Sequence, residues 1–260
     1  MDIVVPDKKD VQILRKRLLD IGWLSADDYW VAEMPRRFWY MNIAMETELV
    51  DPSSGIHLEI HWVLDHLIFN LREEESKDLL FSNTQKSHLL GRSVNVLSPE
   101  LELIYLLVHG AKHAWFRLKW LVDIHHYPFH LIDQSKFEKL LERFKMHVIV
   151  AQTDELLKIH FGKGVPFQVN EKANSFLVQY ANQKIKGEVS EGSPTAFQFT
   201  NYLIYNWLLT PNKKIAIKKL LRTIGVRPQD ISKVKLDAYW KYFFYRYYSL
   251  FTRKVLIMKK

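Results

Sequence analysis

Two short apolar segments of the chain each carry one carboxylate. Asp2 comes directly before the apolar run 3–5, and Glu59 stands between Leu58 and Ile60. Both segments have the composition of short strands. Strands that direct a carboxylate off one sheet are typical of metal-dependent phosphoryl and nucleotidyl transfer, because Mg²⁺ prefers hard oxygen ligands and keeps substrate phosphates in its shell. Asp2 and Glu59 are therefore candidate catalytic residues and candidate ligands of Mg²⁺ (or Mn²⁺).

The strand around Glu59 has one polar face. His57, Glu59 and His61 alternate with apolar residues, so they share a side of the strand. Two interpretations stay open: the face meets solvent, or Glu59 binds a metal while His61 orients it or contacts substrate phosphate. Asp2 likewise is either a solvated terminal acid or a metal ligand.

A second group of polar residues recurs at helical spacing further along the chain. His109, His113, Arg117 and Trp120 are predicted to lie on one helix face. The opposite face carries the stripe Leu103, Leu107, Ala111, Ala114 and Leu118. The histidine pair lacks the adjacent glutamate of zinc proteases, and no His-Asp dipeptide occurs in the sequence. The alternatives are structural histidines and contact with a substrate phosphate or base.

The first part of the chain reads as strands with one clear helix. Residues 7–22 have helical periodicity, a capping Asp7 and a terminating Gly22. The segments predicted as strands are rich in aromatic and β-branched residues and are separated by turn residues. These segments are 28–33, 37–46, 56–64 and 94–97.

From Ser98 onward the pattern is helical. Ser98-Pro99-Glu100 combines a capping serine, a proline suited to the first turn and an acid near the helix N-terminus. Further helices are predicted at 117–128, 135–146, 147–161, 170–185, 195–209, 213–224 and 236–251. The predicted fold class is α+β, with a small mixed sheet in residues 1–96 and an all-helical domain in residues 97–260.

Composition excludes several classes of protein. The 260-residue chain is 48% hydrophobic, which is too high for a disordered protein, and it has no uncharged apolar run of membrane-spanning length. It has no cysteine, so disulfides and thiolate metal sites are excluded. The first residues do not have the pattern of a secretion signal. A cytoplasmic location is the expectation.

Positive charge is concentrated at the C-terminal end. Residues 211–260 hold 14 Lys and Arg against 2 Asp and Glu, whereas residues 1–96 carry a net charge of −5. Residues 239–248 add aromatic side chains interleaved with cations. This segment either closes a core and presents a solvated basic face, or it contacts a polyanion such as nucleic acid.

Four segments together resemble the uncharacterised bacterial nucleotidyltransferase family of the polymerase-β-like superfamily. They are Asp2-Ile3-Val4-Val5-Pro6 with Ile21-Gly22-Trp23, Leu58-Glu59-Ile60-His61-Trp62, the run 97–124 containing His109-Gly110-Ala111-Lys112-His113-Ala114-Trp115-Phe116-Arg117, and Arg227-Pro228-Gln229-Asp230 before an aromatic helix. Their order and spacing match the family across nearly the whole chain. The run 97–124 is the most specific of the four.

The resemblance implies transfer of a nucleoside monophosphate from a nucleoside triphosphate to an acceptor that the sequence does not identify. Asp2 and Glu59 would be the metal-binding acids, and His61, His109, His113 and Arg117 would bind substrate. The family pattern has a further acid two residues before Asp2 and an earlier glycine-containing turn, which would precede Met1. An internal start and a shortened, impaired enzyme both fit this departure. The rival function is that of a degenerate, non-catalytic protein that binds nucleotides or anions.

Overall fold

The computed structural model of the chain describes residues 2–5, 7–26, 30–31, 33–64, 73–187 and 196–257. They fall into two compact units, one containing Met1–His66 and Leu220–Lys260 and the other containing Leu67–Lys219. The strands are β1 (Asp2–Val4), β2 (Leu24–Ser25), β3 (Glu46–Val50), β4 (His57–His61), β5 (Thr84–Leu89) and β6 (Arg92–Leu97). The helices are α1 (Lys8–Asp20), α2 (Arg36–Ile43), α3 (Glu73–Ser82), α4 (Pro99–Lys112), α5 (Leu118–His125), α6 (Gln134–Phe144), α7 (His147–Phe161), α8 (Ser175–Ile185), α9 (Ala196–Leu209), α10 (Lys213–Ile224), α11 (Pro228–Lys233) and α12 (Tyr239–Ile257).

The first unit is built on a four-stranded mixed sheet. Its strand order is β1-β4-β3-β2, with β1 parallel to β4 and the other neighbours antiparallel. The tight connection from β3 to β4 is held by Asp51, whose carboxylate accepts hydrogen bonds from the backbone and hydroxyl of Ser53 and from the hydroxyl of Ser54. These hydrogen bonds hold the pKa of Asp51 below its usual value, and the bond from the Ser54 hydroxyl has the largest effect. The α+β prediction is confirmed.

One side of this sheet faces a hydrophobic core. Leu49, Leu58 and Ile60 alternate along β3 and β4 and are almost completely buried, as alternation requires of a half-buried strand. Helix α1 contributes Val11 to the same core, and α12 contributes the fully buried Tyr242. The end of the chain therefore packs with its beginning.

A buried arginine fixes this long-range packing. Arg36 on α2 is 8% exposed, and its guanidinium donates to the hydroxyl of Tyr242 and to the carbonyl oxygens of Ile231 and Ser232. Burying this cation without such acceptors would cost several kcal/mol of stability, about as much as removing one partner of a buried charge pair. The contact thus selects the register of α11 and α12 on α2.

The second unit combines the β5–β6 hairpin with a bundle of helices. Hairpin pairing runs from Thr84 opposite Leu97 to Leu89 opposite Arg92. The core contains Leu101, Ile104, Leu107, Leu121, Phe137, Leu156 and Leu177, all nearly inaccessible. Helix α7 begins and ends where the sequence predicts, and the predictions for α5, α6, α9 and α10 agree within a few residues.

Two predictions about local structure are wrong. The segment 37–46 was predicted as a strand, but most of it lies in helix α2, and the strand follows as β3. Aromatic residues favour strands weakly, and here the burial of Arg36 and Tyr40 on one helix face outweighs that preference. In the segment 28–33, residues 30 and 31 are not in a strand, and the rest lies mostly outside the described residues.

The compact units differ in extent from the segments 1–96 and 97–260. The predicted division into a nucleotidyltransferase-like core and a helical domain stays a prediction. Within the described residues, no helix combines the length and the apolar character needed to cross a membrane.

Candidate active site

The side of the sheet opposite the core is acidic. Across β1, β3 and β4, the described residues on this side include four carboxylates and two histidines, which we call the acid face: Asp2, Glu46, Glu48, His57, Glu59 and His61. They share a side because paired residues in neighbouring strands point the same way and alternate with the core residues. The polar alternation predicted for Glu59 is therefore part of a wider surface.

Asp2 and Glu59 are register partners in the parallel pair β1–β4. With His61, each offers one potential ligand atom, and these atoms all lie within 4.8 Å of one another. Asp2 is exposed, Glu59 is half-buried and His61 is buried. The structure thus brings together the two acids that the sequence singles out, as expected, while their binding of a metal stays a prediction.

His61 lies between two carboxylates. Its Nδ1 is 3.1 Å from Glu46 Oε2, and its Nε2 is 3.2 Å from Glu59 Oε2. Glu46 is directly opposite His61 in the β3–β4 register, so the backbone positions this contact. The imidazole links the two neighbouring strands and limits the rotation of both carboxylates.

A second carboxylate–histidine pair lies on the same face. His57 Nδ1 is 2.6 Å from Glu48 Oε1, and Glu48 is the register partner of Glu59. Sequence reasoning missed Glu46 and Glu48 because it placed a strand at 37–46 and left 47–50 unassigned. The alternation of Glu46-Thr47-Glu48-Leu49 was the signal that could have found them.

The donor set of the acid face fits a divalent cation. Carboxylate oxygens from two strands converge within the span of one or two ions, and an imidazole nitrogen joins them. The residues present therefore suit the Mg²⁺ or Mn²⁺ expected from the sequence.

His109, His113 and Arg117 lie in the second unit, at the corner between α4 and α5. They were predicted to share one helix face, and that is wrong: α4 ends at Lys112, and Arg117 is the N-cap of α5. Ala114 and Trp115 between them have φ values of 51° and 56°, which turn the chain out of the helix. Leu118 of the predicted apolar stripe is 43% exposed for the same reason.

The corner is packed with rings. The His109 and His113 rings are 4.9 Å apart, and each lies about as close to Trp120. The guanidinium of the exposed Arg117 lies 5.3 Å from the Phe116 ring and 5.8 Å from the Trp120 ring. The turn thus gathers the predicted residues by a route other than helical spacing. Whether they contact substrate stays a prediction, as does the expectation that they line a cleft with Asp2 and Glu59.

Gly110 makes this corner possible. Trp115 folds back onto α4 and is completely buried, and a Cβ on Gly110 would collide with its ring. The glycine after His109 therefore has a packing reason, apart from any role of the histidine.

The aromatic helix α12 has two different sides. Tyr242 and Arg246 are buried, and Arg246 contacts Asp230 and the carbonyl oxygen of Thr223. Six further rings are between 41% and 69% exposed: Tyr239, Trp240, Phe243, Phe244, Tyr247 and Tyr248. Of the two sequence interpretations, closure of a core accounts for only one side of the helix.

The small mixed sheet, with Asp2 and Glu59 side by side, is what the sequence predicts for a nucleotidyltransferase-like protein. Residues 1–162 match the sequence model of a family described as uncharacterised nucleotidyltransferases. The chain belongs to this family, and the resemblance read from the sequence is confirmed. No curated protein and no solved structure shows significant similarity to it.

Proposed function

We propose that the chain transfers a nucleoside monophosphate from a nucleoside triphosphate to an acceptor, with release of pyrophosphate, in a reaction that depends on a divalent metal. The observation that carries the proposal is the meeting of Asp2, Glu59 and His61 at the parallel pair β1–β4. Membership of the nucleotidyltransferase family supports it.

Three residues of the acid face have a defined part in this proposal. Asp2 and Glu59 would hold Mg²⁺ or Mn²⁺, which when bound supplies charge neutralisation of the phosphates and activation of the acceptor hydroxyl. His61 keeps the Glu59 carboxylate in one orientation through its Nε2 contact. Holding the acids in place before the substrates bind avoids reorganisation during the reaction.

Arg117, His109 and His113 are proposed to contact the phosphates of the nucleotide. The guanidinium of Arg117 is exposed at the α4–α5 corner, where its donors are available to a phosphate oxygen. The histidine rings are half-buried and pack on Trp120, which would hold them at the surface that the phosphates meet.

Transfer of label tests the proposal. The 260-residue chain would be incubated with each nucleoside triphosphate labelled at the α-phosphate, with Mg²⁺ or Mn²⁺, and with separate pools of RNA, protein and small metabolites as acceptor. We expect label to enter one pool and Glu59→Gln to lower the rate about 1,000-fold, since a metal-binding acid is worth several kcal/mol.

The control for this experiment is Glu48→Gln. It removes the same charge from the same face but not from the Asp2–Glu59 pair, so we expect the rate to stay within about threefold. Tight binding of nucleotide without transfer to any pool would instead support the rival function, a degenerate transferase that binds nucleotides or anions.

We further propose that the C-terminal segment contacts a polyanion. Residues 211–260 hold 14 cationic side chains against 2 acids, and the six exposed rings of α12 suit stacking on unpaired bases. Binding of single-stranded RNA should weaken by orders of magnitude between about 50 and about 200 mM salt, because phosphate contacts release counterions.

A matched set of variants tests this contact. Trp240→Ala with Phe244→Ala should weaken RNA binding about tenfold or more, since each stacked ring is worth about 1–3 kcal/mol. Phe197→Ala, which removes another exposed ring outside this segment, should leave binding unchanged. Binding that persists in the double variant, or that moves to anionic vesicles instead of RNA, would contradict the proposal.

A further inference from the structure

We propose that His61 is itself a nitrogen ligand of the metal at the acid face, that Glu46 holds its ring in the ligating orientation, and that the site consequently prefers a first-row transition ion such as Mn²⁺ to Mg²⁺. The inference rests on the proposed function only in taking a divalent metal to bind between Asp2 and Glu59. It assigns a role to Glu46, which the proposed function leaves without one.

Glu46 lies where it can set the orientation of the His61 ring. His61 is only 6% exposed, and its Nδ1 lies 3.1 Å from Glu46 Oε2. An ionised carboxylate accepts but cannot donate, so a favourable contact places a hydrogen on Nδ1. Nε2 lies 3.2 Å from Glu59 Oε2, so a metal bound between these two atoms would take the place of the hydrogen bond there and leave the Nδ1–Glu46 contact intact. A carboxylate that binds the far nitrogen of a histidine is the usual support of a metal-ligating imidazole.

Nε2 of His61 lies beside the carboxylates of Glu59 and Asp2. It lies 3.2 Å from Glu59 Oε2, and the ligand atoms of Asp2, Glu59 and His61 fall within 4.8 Å of one another. Two ligands with bonds of about 2.1 Å are roughly 3.0 Å apart at a right angle and roughly 3.4 Å apart at the tetrahedral angle. The observed separation lies between these values, so both atoms suit the same ion.

The neighbouring pair of His57 and Glu48 differs from His61 and Glu46. His57 also contacts a glutamate through Nδ1, but its side chain is 61% exposed. Among the residues that the structure describes, it does not belong to a group able to hold a metal, whereas His61 does. A carboxylate partner is thus shared by both histidines, and burial beside Asp2 and Glu59 distinguishes His61.

The final step is the choice of metal. Mg²⁺ is held by oxygen ligands and keeps several waters, whereas imidazole nitrogen favours transition ions. Two carboxylates and one imidazole form a mixed oxygen and nitrogen set. Such a set raises the affinity for Mn²⁺ and the later transition ions relative to Mg²⁺.

Electron paramagnetic resonance with Mn²⁺ alone tests the proposal on the 260-residue chain without nucleotide. We expect the free Mn²⁺ signal to fall on adding protein, and the bound ion to show spin-echo modulation from a directly coordinated ¹⁴N. Displacement of bound Mn²⁺ should need at least about tenfold more Mg²⁺ than Mn²⁺, and His61→Gln should abolish the ¹⁴N modulation.

Two pairs of variants separate coordination from charge. Glu46→Gln should weaken Mn²⁺ binding about 10-fold to 100-fold, as loss of a supporting carboxylate does elsewhere. Glu48→Gln removes the same charge from the same strand and should change affinity no more than about threefold. His57→Gln should keep the ¹⁴N modulation that His61→Gln loses.

Three results would overturn the inference: Mn²⁺ bound with no ¹⁴N modulation, modulation that survives His61→Gln, or no Mn²⁺ binding at millimolar concentration by a chain shown to be folded by circular dichroism. The outcomes are independent of transfer activity. Nitrogen-coordinated Mn²⁺ without any transfer would contradict the proposed function alone, whereas transfer by a chain that binds Mn²⁺ without ¹⁴N modulation would contradict this inference alone.

Discussion

The carboxylates of the acid face and two buried carboxylates of the second unit, Glu100 and Asp154, have different partners. In the helical unit, Glu100 is 4% exposed and accepts from the backbone N–H of Asp133 while Lys136 lies 3.1 Å away. Asp154 likewise forms an ion pair with Lys158. On the acid face of the sheet, four carboxylates lie with two histidines and no lysine or arginine among the described strand residues.

We interpret this difference as one between acids that stabilise the fold and acids that, in the proposed function, hold a ligand. Glu100 joins the first turn of α4 to the start of α6, where helix N-termini favour a negative charge. Burial alone would raise the pKa of Glu100, but the hydrogen bonds from Asp133 and Lys136 outweigh it and lower the pKa. On the acid face, Glu46, Glu48 and Glu59 contact histidines instead.

Neutralising one acid in each unit should break or support this comparison. Glu100→Gln should lower the free energy of unfolding by about 1–2 kcal/mol, because it removes one partner of a buried pair. Glu59→Gln should change it by no more than about 1 kcal/mol, because the Glu59 side chain is 41% exposed and an exposed ion pair contributes little. Urea unfolding at neutral pH without metal measures both. Equal losses in the two variants would show that the acid face is structural.

Much of the framework could be predicted because its signals are local. Asp7 caps α1 by accepting from the backbone N–H of Lys9, as its position before the periodic run indicates. The strand carrying Glu59 was recognised from its alternation, and its partnership with Asp2 followed from one acid on each strand. The resemblance to the nucleotidyltransferase family also rested on contiguous segments.

What could not be predicted depends on residues far apart in the chain. The sequence of α2 has the composition of a strand, and its helical packing depends on the contact of Arg36 with Tyr242, 206 positions later. The acid pair Glu46 and Glu48 joins the site only once β3 is placed beside β4. The turn at the α4–α5 corner depends on Trp115 packing against Gly110, which helical periodicity does not reveal.

Arg117 sharpens the comparison in the second unit, since it is the exposed cation among the residues there that are proposed to contact the substrate. Arg117→Gln should raise KM for the nucleoside triphosphate about tenfold, or about 1.4 kcal/mol, with kcat and stability nearly unchanged. Steady-state kinetics with the labelled substrate measure the two constants. Lys119→Gln, also exposed on α5, is the control and should leave both constants as they are. An unaltered KM in Arg117→Gln would restrict the corner to a packing role.

The smallest expected effect is the acid dependence of stability. Because the pKa of Glu100 is lowered in the folded chain, its ionised form contributes stability that is fully present above the usual value of 4.5. That contribution is lost as the pH falls through the lowered pKa, since the unfolded chain then binds the proton more readily. Urea unfolding between about pH 5 and pH 3 should therefore show a shallower decline for Glu100→Gln than for the unchanged chain. Glu171→Gln, at an exposed site, should follow the unchanged chain. Parallel declines for all three would mean that the ionised Glu100 does not stabilise the fold. That result would contradict the comparison of Glu100 with the carboxylates of the acid face.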